Sequence, residues 1–492
     1  MQWKFEPSPA LGSTARIGFW IAFALALLVA ILLLLERRDG QDWAGDFSLY
    51  ISHARNLSEG KPYAATGYIV NPYFRSLSPD TYPPLFPLLL TPLYSRFGLD
   101  FNALKVPGIL CFAASIPLLF CLFRKDLPTG QSLIAVCLWA GWPFILWFKD
   151  SVVPDLVFAL LWVLALWLLR IAYDQFPIRR PGPLALLTGV VSYAAYATRS
   201  VGIVLLGAII AYEVLRYRRI SRFAIYAVCV FGFLALCQNL LIHNEAAYFQ
   251  MLTLAPFKTA EIYLHSLTIV FSTATSGWLR GVRYTVAFAA VLLSCAGFLI
   301  NLRRFRSPSE VAVALYVVLL LLWSPGAGTR YIVPVIPFFF FYLVTALDVL
   351  NRDIGSRAAF ALEGALLALV FLCYITEDRQ FRPSPIEGGI STAGFAELCQ
   401  YITAKTNPAD VFVFQNPRVL SLFTRRPASI YPKHGDPQLL WNYARNIHAR
   451  YLVATDFLEG DAATLRPFVR DYGGRLRMVF SNSNFRLYMI VD

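Results

Sequence analysis

Residues 17–35 read IGFWIAFALALLVAILLLL, and Glu36-Arg37-Arg38 follows them directly. A helix needs about 20 apolar residues to cross the hydrocarbon core of a bilayer. The apolar part of a secretory signal peptide is shorter, and a cleavage site of small residues follows it instead of charges. The stretch therefore predicts a retained signal-anchor helix that spans a membrane.

The composition extends this interpretation to most of the chain. Of 492 residues, 57% are apolar and 15% are charged, against about 45–50% and about 25% in an ordinary soluble protein. These proportions exclude a disordered chain and a water-soluble enzyme. Besides residues 17–35, the predicted spans are 104–123, 131–148, 155–171, 184–198, 200–215, 221–242, 284–301, 310–324, 331–350 and 358–376. We therefore predict a polytopic all-α integral membrane protein with about 11 transmembrane helices.

The distribution of positive charge predicts the orientation of these spans. The net charge is +13, but the cations lie between apolar blocks, which favours the lipid bilayer as a partner and argues against nucleic acid. With a cytoplasmic N-terminus, the short outer loops contain only Lys149, Arg199 and Arg330 as cations. This positive-inside bias predicts a multi-pass protein of a bacterial-type inner (plasma) membrane. Loops 36–103 and 243–283 and the tail are then extracytoplasmic.

The first outer loop is predicted to contain two helices. Apolar residues follow Asp46 with helical spacing, and Gly60 can end that helix. Tyr82-Pro83-Pro84 then begins a second apolar segment, 85–97, because proline is tolerated in the first turn of a helix. A membrane span over 85–97 would break the charge pattern, so we predict an interfacial helix.

The tail differs in character from the apolar blocks. Residues 377–492 are predicted to form a small extracytoplasmic α/β domain, beside a transmembrane domain of residues 1–376. Helical periodicity occurs over 392–404, 436–447 and 462–472. Strand-like runs occur over 411–414, 451–454 and 485–491.

Asp46 is the first candidate for a catalytic group. In a helix that begins there, Asp46, Tyr50 and His53 share one face. A carboxylate beside hydroxyl and imidazole groups at an apolar boundary can act as a general base. Tyr50 and His53, together with Tyr82 and Lys149, are the predicted substrate pocket. The structural alternative is that Asp46 only caps the helix.

A second carboxylate is expected from the polar loop between Lys149 and Asp155. Asp150 and Asp155 are predicted at the same level as Asp46, where two carboxylates can share a metal or an acceptor. The structural alternatives are that Asp155 caps the helix that it opens and that Asp150 pairs with Lys149.

Two arginines are candidates for binding phosphate. Arg199 lies between two apolar stretches, and Arg330, followed by Tyr331, comes after a glycine-bearing loop at a helix start. Guanidinium groups with nearby backbone amides suit phosphate binding. The alternative for each arginine is that it extends to the membrane interface without binding a ligand.

A divalent metal ion is the only cofactor that the sequence raises. The candidate ligands are Asp46, His243, Glu245 and His265. Their spacing matches no established zinc motif, so the sequence leaves metal binding open.

The motifs around these residues resemble a known superfamily. They are Gly45-Asp46-Phe47-Ser48-Leu49-Tyr50 after the first span, then Tyr82-Pro83-Pro84-Leu85, Pro154-Asp155 and Arg330-Tyr331, with a soluble tail. The arrangement resembles the GT-C superfamily of polyprenyl-phosphate-dependent glycosyltransferases. Its nearest groups are those like the dolichyl-phosphate-mannose–protein mannosyltransferases and those like the bacterial aminoarabinose transferases that act on lipid A.

The resemblance implies a fold, a reaction and roles for residues. The fold would be GT-C over residues 1–376, and the enzyme would move a hexose or pentose from a polyprenyl-phosphate donor to a lipid, glycan or protein acceptor. Asp46 would be the catalytic carboxylate, and Asp155, or its rival Asp150, the second acid. Arg199 and Arg330 with Tyr331 would lie near the carrier phosphate. With Asp46 as general base and direct displacement, the anomeric configuration would invert.

Two departures and two other functions qualify this hypothesis. Phe47 stands where the protein mannosyltransferases have a second acid, and Tyr82 where the lipid A transferases have a lysine, which leaves acceptor and metal dependence open. A transporter or flippase for lipid-linked sugars is the alternative, although transporters place ionisable groups near the mid-membrane, often with symmetric halves. A non-catalytic scaffold that presents the tail would leave Arg199 and the acidic loops unexplained.

Overall fold

The fold is taken from a computed structural model that describes most of the chain. The described residues are 13–43, 45–74, 77, 79–176, 181–242, 255–269, 278–305, 307–323, 328–354, 356–381, 385–386, 388–432 and 436–491. Up to residue 381, the helices are α1 (Ser13–Leu35), α2 (Asp46–Ser58), α3 (Leu85–Phe97), α4 (Phe101–Phe123), α5 (Thr129–Ala140), α6 (Ile145–Lys149), α7 (Asp155–Asp174), α8 (Pro181–Thr198), α9 (Val204–Tyr217), α10 (Arg222–Leu241), α11 (Pro256–Ile269), α12 (Trp278–Arg304), α13 (Pro308–Leu321), α14 (Ile336–Ile354) and α15 (Ser356–Phe381). Short 3-10 helices precede α9 (Ser200–Ile203) and α14 (Thr329–Ile332).

The polytopic all-α architecture is confirmed. Within the described residues, six helical segments are long and apolar enough to cross a membrane. They lie in α1, α4, α7, α10, α12 and the segment Ser200–Tyr217, which joins a 3-10 helix to α9. Shorter apolar helices lie in α5, α13, α14 and α15. The total of eleven spans stays a prediction.

One predicted span is wrong as a continuous helix. The apolar run 131–148 is divided into α5, which ends at Ala140, and the short α6, which begins at Ile145. Gly141 and Pro143 lie between them. Proline has no amide hydrogen to donate within a helix, and its ring clashes with the preceding turn. The predicted helix over 331–350 similarly begins later, at Ile336, after the 3-10 helix that contains Arg330.

Helices of the transmembrane part pack closely in pairs. Helix α4 contacts both α1 and α7, α8 contacts α10, and α12 contacts α14. At the last crossing, a Cβ on Gly297 would lie 1.9 Å from the carbonyl oxygen of Tyr342, so only glycine permits this approach of the two backbones. Small residues at such contacts are typical of helix packing in membranes.

The C-terminal part contains a six-stranded sheet. Its helices and strands are α16 (Ala393–Lys405), β2 (Val411–Val413), α17 (Pro417–Thr424), β3 (Ala428–Ser429), α18 (Pro437–Asn446), β4 (Ala449–Thr455), α19 (Glu459–Asp471), β5 (Leu476–Ser481) and β6 (Phe485–Ile490). With β1 (Tyr68–Ile69) from the first loop, the strand order is β1-β3-β2-β4-β6-β5, parallel from β1 to β4 and antiparallel beyond. The predicted α/β character is therefore confirmed, although α17, β3 and β5 were not predicted.

The sheet also takes a strand from the first loop. Strand β1 (Tyr68–Ile69) pairs in parallel with β3, and α17 packs against α2. The buried guanidinium of Arg55 in α2 donates a 2.9 Å hydrogen bond to the carbonyl oxygen of Leu422 in α17. The tail is therefore attached directly to the loop that contains Asp46.

Candidate active site

A cleft lies where the first loop meets the ends of several apolar helices. It has about 620 Å³ of empty space, its open mouth included. Its walls come from the start of α2, the start of α3, the two 3-10 helices and the end of α13. The lining residues are Asp46, Tyr50, Tyr82, Pro83, Thr198, Arg199, Ser200, Val201, Leu319, Leu320, Trp323, Arg330 and Tyr331. Polar and apolar side chains thus line the cleft together, as in many ligand sites.

The Asp46 carboxylate lies at the wall of this cleft with a partner on each oxygen. Arg330 donates to Oδ2 at 2.7 Å, and the Tyr82 hydroxyl donates to Oδ1 at 2.8 Å. The predicted alternative of a helix cap is wrong. Gly45 occupies the capping position, and no side chain caps the helix there.

These partners keep Asp46 ionised. Burial raises the pKa of the carboxyl. The positive charges of Arg330 and Arg418 and the hydrogen bond from Tyr82 outweigh this effect and lower the pKa to about 2. The side chain keeps 35% of its surface exposed. Asp46 is thus an accessible carboxylate whose acceptor capacity is partly taken by neighbouring donors.

Asp155 joins the two arginines beneath the cleft. Arg330 donates to Oδ2 at 2.9 Å, and Arg199 forms an ion pair with Oδ1. The Asp155 side chain has no exposed surface, and Pro154, not Asp155, occupies the capping position of α7. Capping by Asp155 is therefore wrong as an explanation; the carboxylate braces two guanidinium groups.

Arg199 and Arg330 are held inside the protein. Their side chains are 11% and 20% exposed, and the guanidinium of Arg199 lies 4.4 Å above the ring centre of Tyr331. The backbone of Arg199 stays extended between α8 and a 3-10 helix. Both guanidinium groups are therefore held by ion pairs within the protein, and phosphate binding by these arginines stays a prediction.

The predicted pocket residues separate into two groups. Tyr50 and Tyr82 line the cleft, with their rings stacked at 4.5 Å. His53 is fully buried and does not line it. Its Nδ1 pairs with the carbonyl oxygen of Tyr63, and its Nε2 accepts from the amide of Tyr82. Burial lowers the pKa of His53 to about 3, so the neutral ring holds the backbone of Tyr82.

Asp150 and Lys149 lie in a different cluster, which corrects their predicted places in the site. Asp150 accepts from Arg38 at 2.7 Å and from Lys149 at 3.1 Å, and neither Asp150 nor Lys149 lines the cleft. The predicted alternative, an ion pair between neighbours, is confirmed. Lys149 and Lys105 also donate to backbone carbonyls of residues 36, 38 and 40. This cluster fixes the chain between α1 and α2.

Known proteins are similar to this chain in part of its sequence and in its overall fold. The family model of the dolichyl-phosphate-mannose-protein mannosyltransferases matches residues 81–243. The oligosaccharyltransferase of Archaeoglobus fulgidus, solved with Zn and sulfate, is similar with a TM-score of 0.62 and 14% identity, over 96% of this chain and 73% of that one. ArnT from Cupriavidus metallidurans, bound to undecaprenyl phosphate, has a TM-score of 0.59 and 14% identity, over 97% and 98% of the two chains.

The chain has the GT-C fold. The mycobacterial arabinofuranosyltransferase AftD is also similar, with a TM-score of 0.55 and 14% identity, over 99% of this chain and 42% of the larger protein. No curated protein matches the sequence. The resemblance inferred from the short motifs is thus confirmed at the level of the fold, and donor and acceptor must be argued from the site.

Of the predicted metal ligands, Asp46 lines the cleft and His265 does not. His243 and Glu245 lie outside the described residues, and His265 lies in α11. Among the residues that the structure describes, no group of three His, Cys, Asp or Glu side chains could hold a metal ion. Asp46 itself faces two guanidinium groups, which repel a cation. The described site therefore does not fit a divalent metal.

Sequence reasoning missed one residue beside Asp46. Arg418 in α17 donates to the Tyr82 hydroxyl at 2.9 Å and lies 3.5 Å from Oδ1 of Asp46. Its position in a soluble-looking tail, far along the chain from Asp46, gave no local signal. Only the docking of α17 on α2 brings it there.

Proposed function

We propose that the protein is a membrane glycosyltransferase that moves a sugar from a polyprenyl-phosphate donor to an acceptor hydroxyl. The observation that carries this proposal is the chain of charges Asp46–Arg330–Asp155–Arg199 at one cleft. A carboxylate able to take a proton thus lies beside two braced guanidinium groups able to bind a phosphate. Both functions are what this transfer needs.

The arginines would bind the donor phosphate. Guanidinium groups present paired N–H donors that match phosphate oxygens. Because Asp155 fixes both side chains from below, little reorganisation is needed when negative charge develops on the leaving phosphate. Tyr331, which stacks on Arg199, and apolar Leu319 and Leu320 would border the start of the polyprenyl chain.

Asp46 would act as the general base. In the free protein its pKa is about 2, too low for efficient proton removal near neutral pH. A bound phosphate competes with Asp46 for Arg330. The negative charge of the phosphate offsets the positive charge of Arg330, which stays on Asp155, and the pKa of Asp46 therefore rises. Donor binding would therefore release and activate the base.

The transfer step is a direct displacement. The acceptor oxygen forms a bond to the anomeric carbon, and the bond from that carbon to the phosphate oxygen breaks, with its electron pair leaving on the phosphate. The acceptor proton passes to Asp46 and then to solvent. Attack opposite the leaving group inverts the anomeric configuration. The second acid, Asp155, would position the arginines and not touch the substrate.

The ligands bound to the structural neighbours support the donor class. ArnT was solved with undecaprenyl phosphate, and the archaeal oligosaccharyltransferase with a dolichol-phosphate and, separately, with a tethered acceptor peptide. The cation distribution supports an extracytoplasmic site, a cytoplasmic N-terminus and a bacterial-type plasma membrane. The acceptor class, whether lipid, glycan or protein, stays open.

The test is transfer by the purified full chain in detergent or vesicles, with a panel of undecaprenyl-phosphate sugars and lipid, glycan and peptide acceptors. Asp46→Asn should lower the rate about 10²–10⁴-fold, the usual contribution of general base catalysis. Asp150→Asn is the matched control, because this carboxylate lies in the separate cluster. Equal rates for Asp46→Asn and wild type would refute the role of Asp46.

The same material distinguishes the transporter alternative. Movement of a lipid-linked sugar across a vesicle membrane, with no glycosidic product from any donor, would overturn the proposal in favour of a flippase. Retained configuration in the product would overturn the displacement step alone. Labelling of a cysteine introduced at exposed Glu59, at the end of α2, tests the orientation, and labelling from the cytoplasmic side would contradict it.

A further inference from the structure

Arg418 is a buried cation that the tail inserts beside Asp46. Its side chain is 2% exposed, and one guanidinium nitrogen donates to the carbonyl oxygens of Leu77 and Pro79 at 2.5 and 2.6 Å. The guanidinium also lies 4.7 Å above the ring of Tyr68. These contacts join α17 to three parts of the first loop and fix the direction of the arginine.

The other guanidinium nitrogen determines which way the Tyr82 hydroxyl points. That hydroxyl accepts from Arg418 at 2.9 Å and donates to Oδ1 of Asp46 at 2.8 Å. Arginine has no acceptor, so the hydroxyl proton cannot point towards it. Arg418 therefore leaves Asp46 as the acceptor for the Tyr82 proton, and the carboxylate is held from one side by Tyr82 and from the other by Arg330.

We propose that Arg418 is a positioning residue: by orienting the Tyr82 hydroxyl, it makes the docked tail a working part of the site that holds Asp46. This inference rests on the proposed function. Because Arg418 comes from α17, the orientation of Asp46 depends on the packing of the tail against the first loop. The tail is then required for transfer itself, in addition to any part that it takes in acceptor recognition.

Arg418 does not contact the substrate in this arrangement. It is absent from the lining of the cleft; one guanidinium nitrogen donates to the Tyr82 hydroxyl at 2.9 Å and lies 3.5 Å from Oδ1 of Asp46. Its effect must therefore pass through Tyr82 and through its charge. This predicts that loss of Arg418 changes the turnover and the protonation of Asp46 more than it changes donor affinity.

The chain offers a matched control in Arg426. This arginine is also buried in the tail, and within the described part of the chain its guanidinium donates to residues of the tail, among them the carbonyl oxygens of Thr403, Thr406 and Thr424. Arg426→Gln should therefore destabilise the tail without altering Asp46. Thermal unfolding and size-exclusion profiles of both variants measure the structural effect, which can then be separated from the effect on the site.

The kinetic experiment compares Arg418→Gln, Arg418→Lys, Tyr82→Phe and the double variant Tyr82→Phe/Arg418→Gln in the transfer assay. We expect Arg418→Gln to lower kcat about tenfold to a hundredfold, as for a misplaced catalytic group, because the lost orientation of Tyr82 and Asp46 outweighs the higher basicity of the carboxylate. The KM for the donor should change little. Arg418→Lys should retain more activity because it keeps the charge. The double variant should be no slower than the slower single variant. Losses that multiply in the double variant, or a profile like that of Arg426→Gln, would overturn the proposal.

An infrared titration gives a readout that needs no donor. The band of the Asp46 carboxylate is identified by its loss in Asp46→Asn, and its charged and titratable neighbours are Arg330, Arg418, Tyr82 and Tyr50. In Arg418→Gln this band should protonate at a higher pH than in wild type or Arg426→Gln, nearer the ordinary carboxyl value of about 4. Identical titrations in all three would overturn the coupling. If wild type transfers no sugar from any donor, the proposed function fails, and this titration alone decides whether Arg418 controls Asp46.

Discussion

Replacing Asp155 by asparagine removes the negative charge that holds Arg199 and Arg330 together while keeping the shape of the side chain. Asparagine has one acceptor oxygen and one amide nitrogen that only donates. Because one arginine binds each carboxylate oxygen, either orientation of the new amide sets an N–H₂ group against a guanidinium. One arginine therefore loses its partner, and the other loses an ion pair.

The size of this effect follows from burial. Removing one member of a buried ion pair costs about 3–5 kcal/mol. Asp155 has no exposed surface, but Arg199 and Arg330 retain 11% and 20% of theirs, and residual hydration reduces the penalty. We therefore expect Asp155→Asn to lower the free energy of unfolding by about 3 kcal/mol. The unpaired cations are then available to an anion, so undecaprenyl phosphate should stabilise this variant more than it stabilises wild type.

The assay is unfolding by a denaturing detergent in mild micelles, with and without undecaprenyl phosphate. Asp150→Asn is the matched control, because Asp150 is also buried between two cations, Arg38 and Lys149. It should lose similar stability, yet the stabilisation by the phosphate should equal that of wild type. If the phosphate stabilises both variants equally, Arg199 and Arg330 do not form its binding site.

Three further expectations concern the same site. The difference in unfolding free energy between wild type and Asp46→Asn should have its full size above about pH 4 and shrink as the pH falls towards about 2, because the pKa of Asp46 is lowered in the folded protein. A difference that does not change with pH would contradict the ion pairs of Asp46. EDTA should leave the transfer rate unchanged, because arginines supply the positive charge at Asp46; a loss that added Zn²⁺ or Mg²⁺ restores would contradict this. Gly202→Ala should destabilise the protein by about 1–3 kcal/mol and impair transfer, because the new Cβ would lie 2.5 Å from the amide nitrogen of Tyr196, close to Arg199. Gly207→Ala is the control: its Cβ would have a nearest contact of 3.6 Å, so stability and transfer should both stay unchanged.

Local sequence was sufficient where one physical requirement dominates. Long apolar blocks predicted the membrane helices, because backbone polar groups in hydrocarbon must be satisfied within the helix. Helical spacing after Asp46 likewise predicted α2. The same reasoning failed at 131–148, where apolar content was continuous but Gly141 and Pro143 divided the helix. Apolar composition indicates which segments lie in the lipid, whereas the interruption of the helix depends on two residues, Gly141 and Pro143.

The candidate site residues could likewise be predicted in part from the sequence. Asp46, Asp155, Arg199 and Arg330 stood out in the sequence because charges between apolar blocks are costly, and the fold brings all four to one cleft. The sequence could not distinguish Asp155 from Asp150, since both are acids in one short polar loop. Their separation into two clusters depends on which way the chain turns before α7.

The order of residues along the chain is enough to predict many membrane-spanning helices with ionisable groups at their ends. It does not reveal which of these groups meet, that β1 joins the sheet of the tail, or that Arg418 reaches Asp46. These features differ in the distance along the chain over which the residues interact. Hydrophobic length and helical periodicity are properties of neighbouring residues, whereas contacts between distant segments depend on how whole elements pack.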